Sequence, residues 1–201
     1  RLIDDMPDGP SLIVSNEFLD CLPICQAVKV DGQWRERLVG LDPKDPETFA
    51  FVLGGVLSDA DLALIAPSLR DEPDGSLVEL RPADAPVMDA LAERLKAAPG
   101  YALFIDYGSA TPESGDTLQA IAKHQKVDPL DDPGGADLTA WVDFESFAEL
   151  GVAAGLDVYG PVAQGDFLKG LGIETRAAAL AKGRSDDVAA RLQRPPNRLG
   201  A

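Results

Sequence analysis

The stretch SLIVSNEFLDCLP, Ser11 to Pro23, sets an amide and a carboxylate, Asn16 and Glu17, at the end of an apolar run, with a second carboxylate, Asp20, close behind. The arrangement recurs in YALFIDYG, where the run from Tyr101 to Ile105 ends in Asp106 and Tyr107. A continuously apolar run of this length reads as a buried strand of the parallel kind. Ligands of such sheets bind beyond the carboxyl ends of the strands, so Glu17 and Asp106 fall where a ligand would lie. Both also fit a plainer part, because short polar side chains cap the turns that follow strands.

The elements that must position these groups follow from pattern. Leu12–Ser15 is the first strand. Ala27, Val28 and Val30, then Asp31-Gly32, then Trp34 to Val39 give a hairpin over Gln26–Leu41, since Asp-Gly between two such arms favours a tight turn. Thr48–Val56 is a further apolar segment and Ser76–Leu80 a short strand. Pro82 opens a helix over Ala83–Ala97, with Val87, Leu91 and Leu95 on one face. Gly100 closes it before the strand Tyr101–Asp106. Ser109–Thr139 is polar and rich in Pro, Gly and Asp, the composition of a lid or binding loop. Asp143 caps a helix over Phe144–Ala154, stopped by Gly155. Leu156–Tyr159 reads as a short strand, and Gln164–Leu171 and Glu174–Gln193 as helices, the second broken near Gly183. Strands alternating with helices make an α/β fold.

Composition narrows the function classes. With 34 acidic against 18 basic residues the formal charge is −16, which repels nucleic-acid phosphates and suits a cationic peptide. No apolar run approaches the ~18 residues of a membrane span, and no signal-peptide pattern opens the chain. The two cysteines, Cys21 and Cys25, form neither a zinc knuckle nor a disulfide framework, and one histidine, His124, cannot build a multi-histidine metal site. No metal is expected, and the setting expected is reducing and cytoplasmic, in a bacterium. The phosphate-loop, dinucleotide, serine-hydrolase and zinc-protease motifs do not occur.

Six blocks in order, SNEFLDCLP, WRER (Trp34–Arg37), FIDYG (Phe104–Gly108), GDTLQAIAKH (Gly115–His124), DPLDDPGGADLTAWVDF (Asp128–Phe144) and GPVAQGDFLKGLGIETR (Gly160–Arg176), resemble the MidA-type family. That family includes the mitochondrial complex I assembly arginine methyltransferase and its bacterial relatives. The resemblance implies a class I, S-adenosylmethionine-dependent methyltransferase: a Rossmann-like sheet with helices on both faces and a β-hairpin and helical elaboration. Leu12–Ser15 would be its fourth strand and Tyr101–Asp106 its fifth. The family's glycine-rich loop and ribose-holding acid have no counterpart, so the expectation is the central and C-terminal part of one methyltransferase domain, lacking the N-terminal cofactor-binding strands. Within it, 24–82 would be a β-rich insertion and 109–139 a long lid-like loop. Trp141 stands where relatives often carry histidine.

By the same resemblance, Asn16, Glu17 and Phe18 would lie on the cofactor side. Glu17 would grip an arginine guanidinium, with Asp20 or Glu36 as second arm; carboxylates bind that fork bidentately. Asp106 is a third catalytic candidate or only an orienting group. Tyr107, His124 and Gln164 are substrate-side candidates, although His124 also suits a structural place in a loop and Glu36 a solvent-facing hairpin position. The expected activity is methylation of arginine on a basic protein or peptide acceptor, such as a respiratory NADH dehydrogenase subunit. A homodimer is the assembly considered. The alternatives are a non-catalytic assembly chaperone or binding module on the same fold, and a small-molecule methyltransferase.

Overall fold

The computed structural model describes residues 6–182. It divides into two compact units, 1–159 and 160–201, each described by itself.

The first unit opens with β1, Ser11–Asn16. Next come β2, Cys25–Val30, β3, Gln33–Leu41, and β4, Phe49–Val56. Between β2 and β3, Asp31 and Gly32 take φ of 51° and 73°, the pair of positive values that a two-residue hairpin turn requires. After β4 the short helix α1, Asp59–Ala63, starts on Ser58, whose side chain accepts from the Asp61 N–H, and a 3-10 turn spans Pro67–Leu69. Neither was expected from sequence; both are too short to show a periodic pattern. With β5, Leu77–Leu80, the strands form a four-stranded antiparallel sheet in the order β4-β3-β2-β5. One of its faces buries Ala27, Trp34, Val78 and Leu80 against Leu57 and Ile65.

The helix α2, Asp84–Ala97, leads into β6, Gly100–Ile105. β1 and β6 pair in parallel, from Ser11 against Gly100 to Asn16 against Ile105. Their carboxyl ends therefore finish side by side. The inward residues Ile13, Ala102 and Phe104 pack on a core of Leu19, Met88, Leu91, Val142 and Phe147. Phe104 meets Phe147 edge-on with ring centroids 5.2 Å apart. The strand was expected to be buried throughout. It is buried on one face only: Leu12 and Val14 are 81% and 69% exposed, beside Tyr101 at 75%. Helices cover just one side of this pair among the described residues, so the continuous apolar run alternates in burial.

Beyond β6, the short β7, Gly108–Ser109, and the strands β8, Gln119–Ala122, β9, Gln125–Val127, and β10, Asp137–Thr139, occupy the segment expected as a long loop. β8 is the middle strand of a three-stranded sheet. The polar composition that suggested a loop is spent on anchoring. Glu79 Oε1 accepts from the backbone N–H groups of Thr117 and Leu118, both at 3.0 Å, and from Gln26 Nε2 at 2.9 Å. Asp116 pairs with Arg37 at 2.7 Å. β11, Val142–Asp143, pairs with β7 and runs into α3, Phe144–Ala153, where Asp143 accepts from the Ser146 N–H as expected of a cap. Gly155, at φ 78°, ends that helix. Leu156–Tyr159 forms no strand, since no neighbouring strand edge pairs with it.

The second unit contains α4, Gln164–Gly170, and α5, Ile173–Ala181. The break expected near Gly183 and the helix expected to Gln193 lie outside the described residues.

Because Glu79 holds the backbone at Thr117 and Leu118, Glu79→Ala is expected to cost about 2–4 kcal/mol, the scale for stranding several groups bonded to one charge. Urea denaturation measures the loss, and amide hydrogen exchange should quicken first at Thr117 and Leu118.

Candidate active site

The chain leaves β1 at Asn16, and Glu17 turns it sharply with φ 49°. A left-handed backbone costs a non-glycine residue about 1–2 kcal/mol, so something must hold it. Asp106, at the tip of the neighbouring strand, does so. Its Oδ2 accepts from the N–H groups of Phe18, Leu19 and Asp20 at 3.0, 2.8 and 3.3 Å. Its Oδ1 accepts from the Tyr107 N–H at 2.9 Å. Hydrogen bonds to a carboxylate are among the stronger ones in proteins. Of the two parts foreseen for Asp106, this geometry gives it the orienting one.

The turn that Asp106 shapes presents two further acids. Glu17 is exposed, and its Oε1 accepts from the Tyr107 hydroxyl at 3.1 Å. Asp20 is 5% exposed, and its Oδ1 has no hydrogen-bond partner. Burial, and then the charges of Asp106 and Glu17, raise the Asp20 carboxyl above its ordinary value, while the Cys21 backbone N–H and then Arg81 work the other way. Burial and the Glu17 carboxylate raise the Tyr107 hydroxyl as well, so it stays a neutral donor to Glu17.

A second set of bonds fixes what surrounds the acids. The Ala140 N–H donates to the Asp20 carbonyl and the Val142 N–H to the Tyr107 carbonyl, each at 2.9 Å. Residues 140–142 thus bridge both strand tips. Between them the Trp141 N–H donates to Thr117 Oγ1 at 2.8 Å, and the Trp141 side chain is half exposed. Arg81 donates through Nη2 to the Leu19 carbonyl at 2.5 Å and through Nη1 to the Trp141 carbonyl at 3.1 Å. Its Nε lies 2.9 Å from Asp84, both side chains being almost fully buried. Burial raises Asp84 above its ordinary value and the Arg81 contact opposes the rise. Arg81 and Asp84 were missed from sequence; an arginine three places before an aspartate at a strand-to-helix junction is the signal that could have found them.

Of the sequence-derived residues, Glu17, Asp20, Asp106 and Tyr107 come together. Phe18 gives its backbone to this turn and its side chain to the core. Glu36 stands on β3 opposite Ala27, exposed and without a hydrogen bond to the acids among the described residues. His124 occupies the β8–β9 turn at φ 63°, next to Lys123 at 51°. Gln164 begins α4 in the second unit. No cluster that could hold a metal ion occurs among the described residues.

Two parallel strands that end in acids, within an α/β unit, are the arrangement in which proteins of this class bind ligands at strand tips. The chain belongs to the family described as "Putative S-adenosyl-L-methionine-dependent methyltransferase", whose profile matches residues 2–162. It is 38% identical over 192 residues to the mitochondrial protein arginine methyltransferase NDUFAF7 of Xenopus laevis, covering 95% of this chain and 42% of that protein. Against the Homo sapiens protein of that name the identity is 34%, covering 90% of this chain and 39% of the relative. The chain therefore spans about two fifths of the length of these curated relatives. A COG1565 superfamily member from Burkholderia thailandensis, bound to S-adenosyl-homocysteine, superposes with a TM-score of 0.77 at 28% identity, covering 94% of this chain and 50% of that one. A native COG1565 superfamily structure from the same organism gives 0.78 at 26% identity, covering 97% and 54%.

The raised Asp20 carboxyl has a consequence for stability. A group that binds its proton more tightly when folded favours folding at low pH, and that contribution is lost as pH rises through the raised value. Asp20→Asn is expected to be more stable than the parent near neutral pH, with the two converging below pH 3.8, the ordinary value. Thermal denaturation across pH tests this; a variant less stable at neutral pH would mean that the carboxylate has a favourable partner.

Proposed function

We propose that this chain forms the acceptor side of an S-adenosylmethionine-dependent methyltransferase that methylates arginine on a basic protein, as the names of its relatives suggest. The observation that carries the proposal is the set of three carboxylates at the tips of β1 and β6, of which Glu17 is exposed and Asp20 retains an unpartnered oxygen. The acceptor foreseen from the family resemblance is a subunit of the respiratory NADH dehydrogenase. Cys21 and Cys25, both free and exposed, support placing the protein in a reducing compartment, the cytoplasm.

The strand tip suits the cofactor. Asn16 ends β1 exposed, and its amide, able both to donate and to accept, is in no hydrogen bond among the described residues. Asn16, with the backbone carbonyls of Glu17 and Phe18, would hold the amino-acid end, the N–H groups of both being taken by Ile105 and Asp106. When bound, S-adenosylmethionine supplies an electrophilic methyl group carried on a sulfonium.

The chain's own residues handle the acceptor. A guanidinium is delocalised and charged, and attack requires one nitrogen to recover its lone pair. Tyr107 fixes one oxygen of Glu17, which leaves the other to take a guanidinium N–H and draw positive charge away from the attacking nitrogen. Holding the two reactants in contact is itself a large part of the acceleration. Once the new C–N bond forms, that nitrogen must give up a proton. Asp20, with its carboxyl raised by burial and by the neighbouring acids, would take it. Asp106 contributes by keeping the turn in shape.

Incubation of the full-length protein with labelled S-adenosylmethionine and the candidate subunit should place label on arginine; cofactor binding without arginine label would overturn the acceptor assignment. Glu17→Gln should leave cofactor affinity nearly unchanged and lose about 2–4 kcal/mol of transition-state stabilisation, the scale of one preorganised polar group. Normal turnover by that variant would remove Glu17 from the chemistry.

A further inference from the structure

Next to the acids lies a cavity of about 80 Å³ that the proposed mechanism does not use. Its floor is apolar, from Ile65, Leu69 and Leu80; its rim carries Glu113, Ser109 and the ring of Trp141. Cofactor and drug-sized ligands occupy ~300–1,000 Å³, so this volume excludes them. It is the size of a single aliphatic side chain, or of several waters.

Two features say what fills it. The first is continuity with the strand tips. Trp141 lines the cavity, and its chain neighbours Ala140 and Val142 donate their N–H groups to the Asp20 and Tyr107 carbonyls. The cavity is thus tied to the acid cluster through Trp141 and Val142, and through Arg81, which lines it and donates to the Leu19 carbonyl. The second is charge. Glu79, Glu113 and Asp143 line it against a single cation, Arg81, which Asp84 already pairs. Glu79 and Asp143 are engaged with the backbone at Thr117 and Ser146. Glu113, exposed on the rim and touched only by the Ser109 hydroxyl at 2.8 Å among the described residues, is the one turned to an incoming chain. A basic polypeptide is attracted to such a rim, and an acidic one repelled.

We propose that this cavity is a specificity subsite for the acceptor: it takes an aliphatic side chain that lies near the methylated arginine in sequence, with Trp141 closing over it. The inference rests on the reading of the acids as an arginine clamp. It adds that the enzyme selects arginines by an apolar neighbour, because burying that side chain contributes binding that glycine or a carboxylate cannot supply.

The probes are Gly-Ser nonapeptides with a single arginine and either leucine or glycine at one of the positions flanking it, titrated into the full-length protein without cofactor. Trp34 is buried and Trp141 is 44% exposed, so covering Trp141 should shift the exposed part of the emission to the blue. Leucine in at least one position should bind about tenfold more tightly than glycine and give that shift. Trp141→Ala, and independently Thr111→Phe, which fills the cavity from its rim, should each abolish the leucine advantage. Equal binding of the leucine and glycine peptides, or an advantage that survives both substitutions, would overturn the subsite. The outcomes separate from those of the parent reading: methyl transfer without leucine preference removes the subsite alone, whereas leucine preference without arginine label removes the methyl-transfer reading and leaves a peptide-binding site.

Discussion

The geometry of the strand tips depends on the carboxylate of Asp106. The parallel pairing of β1 and β6 brings it beside the end of β1, and it accepts the three N–H groups of the turn that follows, together with that of Tyr107. Without that acceptor, Glu17 would have no reason to stay in a left-handed backbone, and the donors of the turn would be left unmet. The constraint runs from topology to chemistry. Strands paired in parallel end together, the acid on one tip binds the backbone of the other, and the turn so fixed presents Glu17 and Asp20. Strain of this kind persists only where the surroundings over-determine it, and here one charged group supplies the surplus.

A second constraint joins this turn to chain far from it in sequence. Arg81, at the junction of the antiparallel sheet with α2, holds the Leu19 and Trp141 carbonyls with one guanidinium and is itself neutralised by Asp84. Breaking a buried pair of this sort costs more than forming it gains, because the partner is left charged in a poor solvent. The antiparallel sheet is therefore more than an appendage. It delivers the cation that ties the strand-tip turn to residues 140–142, and its Glu79 anchors the segment that leads there. The expected insertion and the expected lid meet at Glu79 and at the Arg37–Asp116 pair.

Much of this was legible in the sequence where the signal is local. The apolar runs at Leu12–Ser15 and Tyr101–Ile105, the Asp31-Gly32 turn, the Asp143 cap and the Gly155 stop each depend on a few neighbouring residues, and each stands where it was expected. The readings that failed depend on partners distant along the chain. Ser109–Thr139 has the composition of a loop, and only the Glu79 anchor and the pairing of β8 with β9 and β10 turn it into structure. Burial of β1 on one face depends on what packs there, which a run of apolar residues does not specify. The place of Asp106 was visible in part: the sequence puts an acid at a strand tip, but that its oxygens meet backbone N–H groups depends on the adjacent strand. The six blocks carried the family, since they occur in order and sample both units, including the two strand tips.

The acids themselves are an unfavourable arrangement for an isolated protein. Asp20 is buried beside two other carboxylates, lacks a partner for one oxygen, and belongs to a chain of formal charge −16. The nearby cation, Arg81, spends its donors on two carbonyls and on Asp84. Natural chains tolerate such a cluster where function demands it and stability is found elsewhere. On the proposed function, a guanidinium at the strand tips would supply the missing positive charge, and part of its binding energy would be the relief of repulsion already present in the free protein. That relief is available to any cation of suitable shape and so gives affinity without selectivity. Selectivity requires contact with something other than charge, and the apolar floor beside Trp141 is a surface at this site that could provide it.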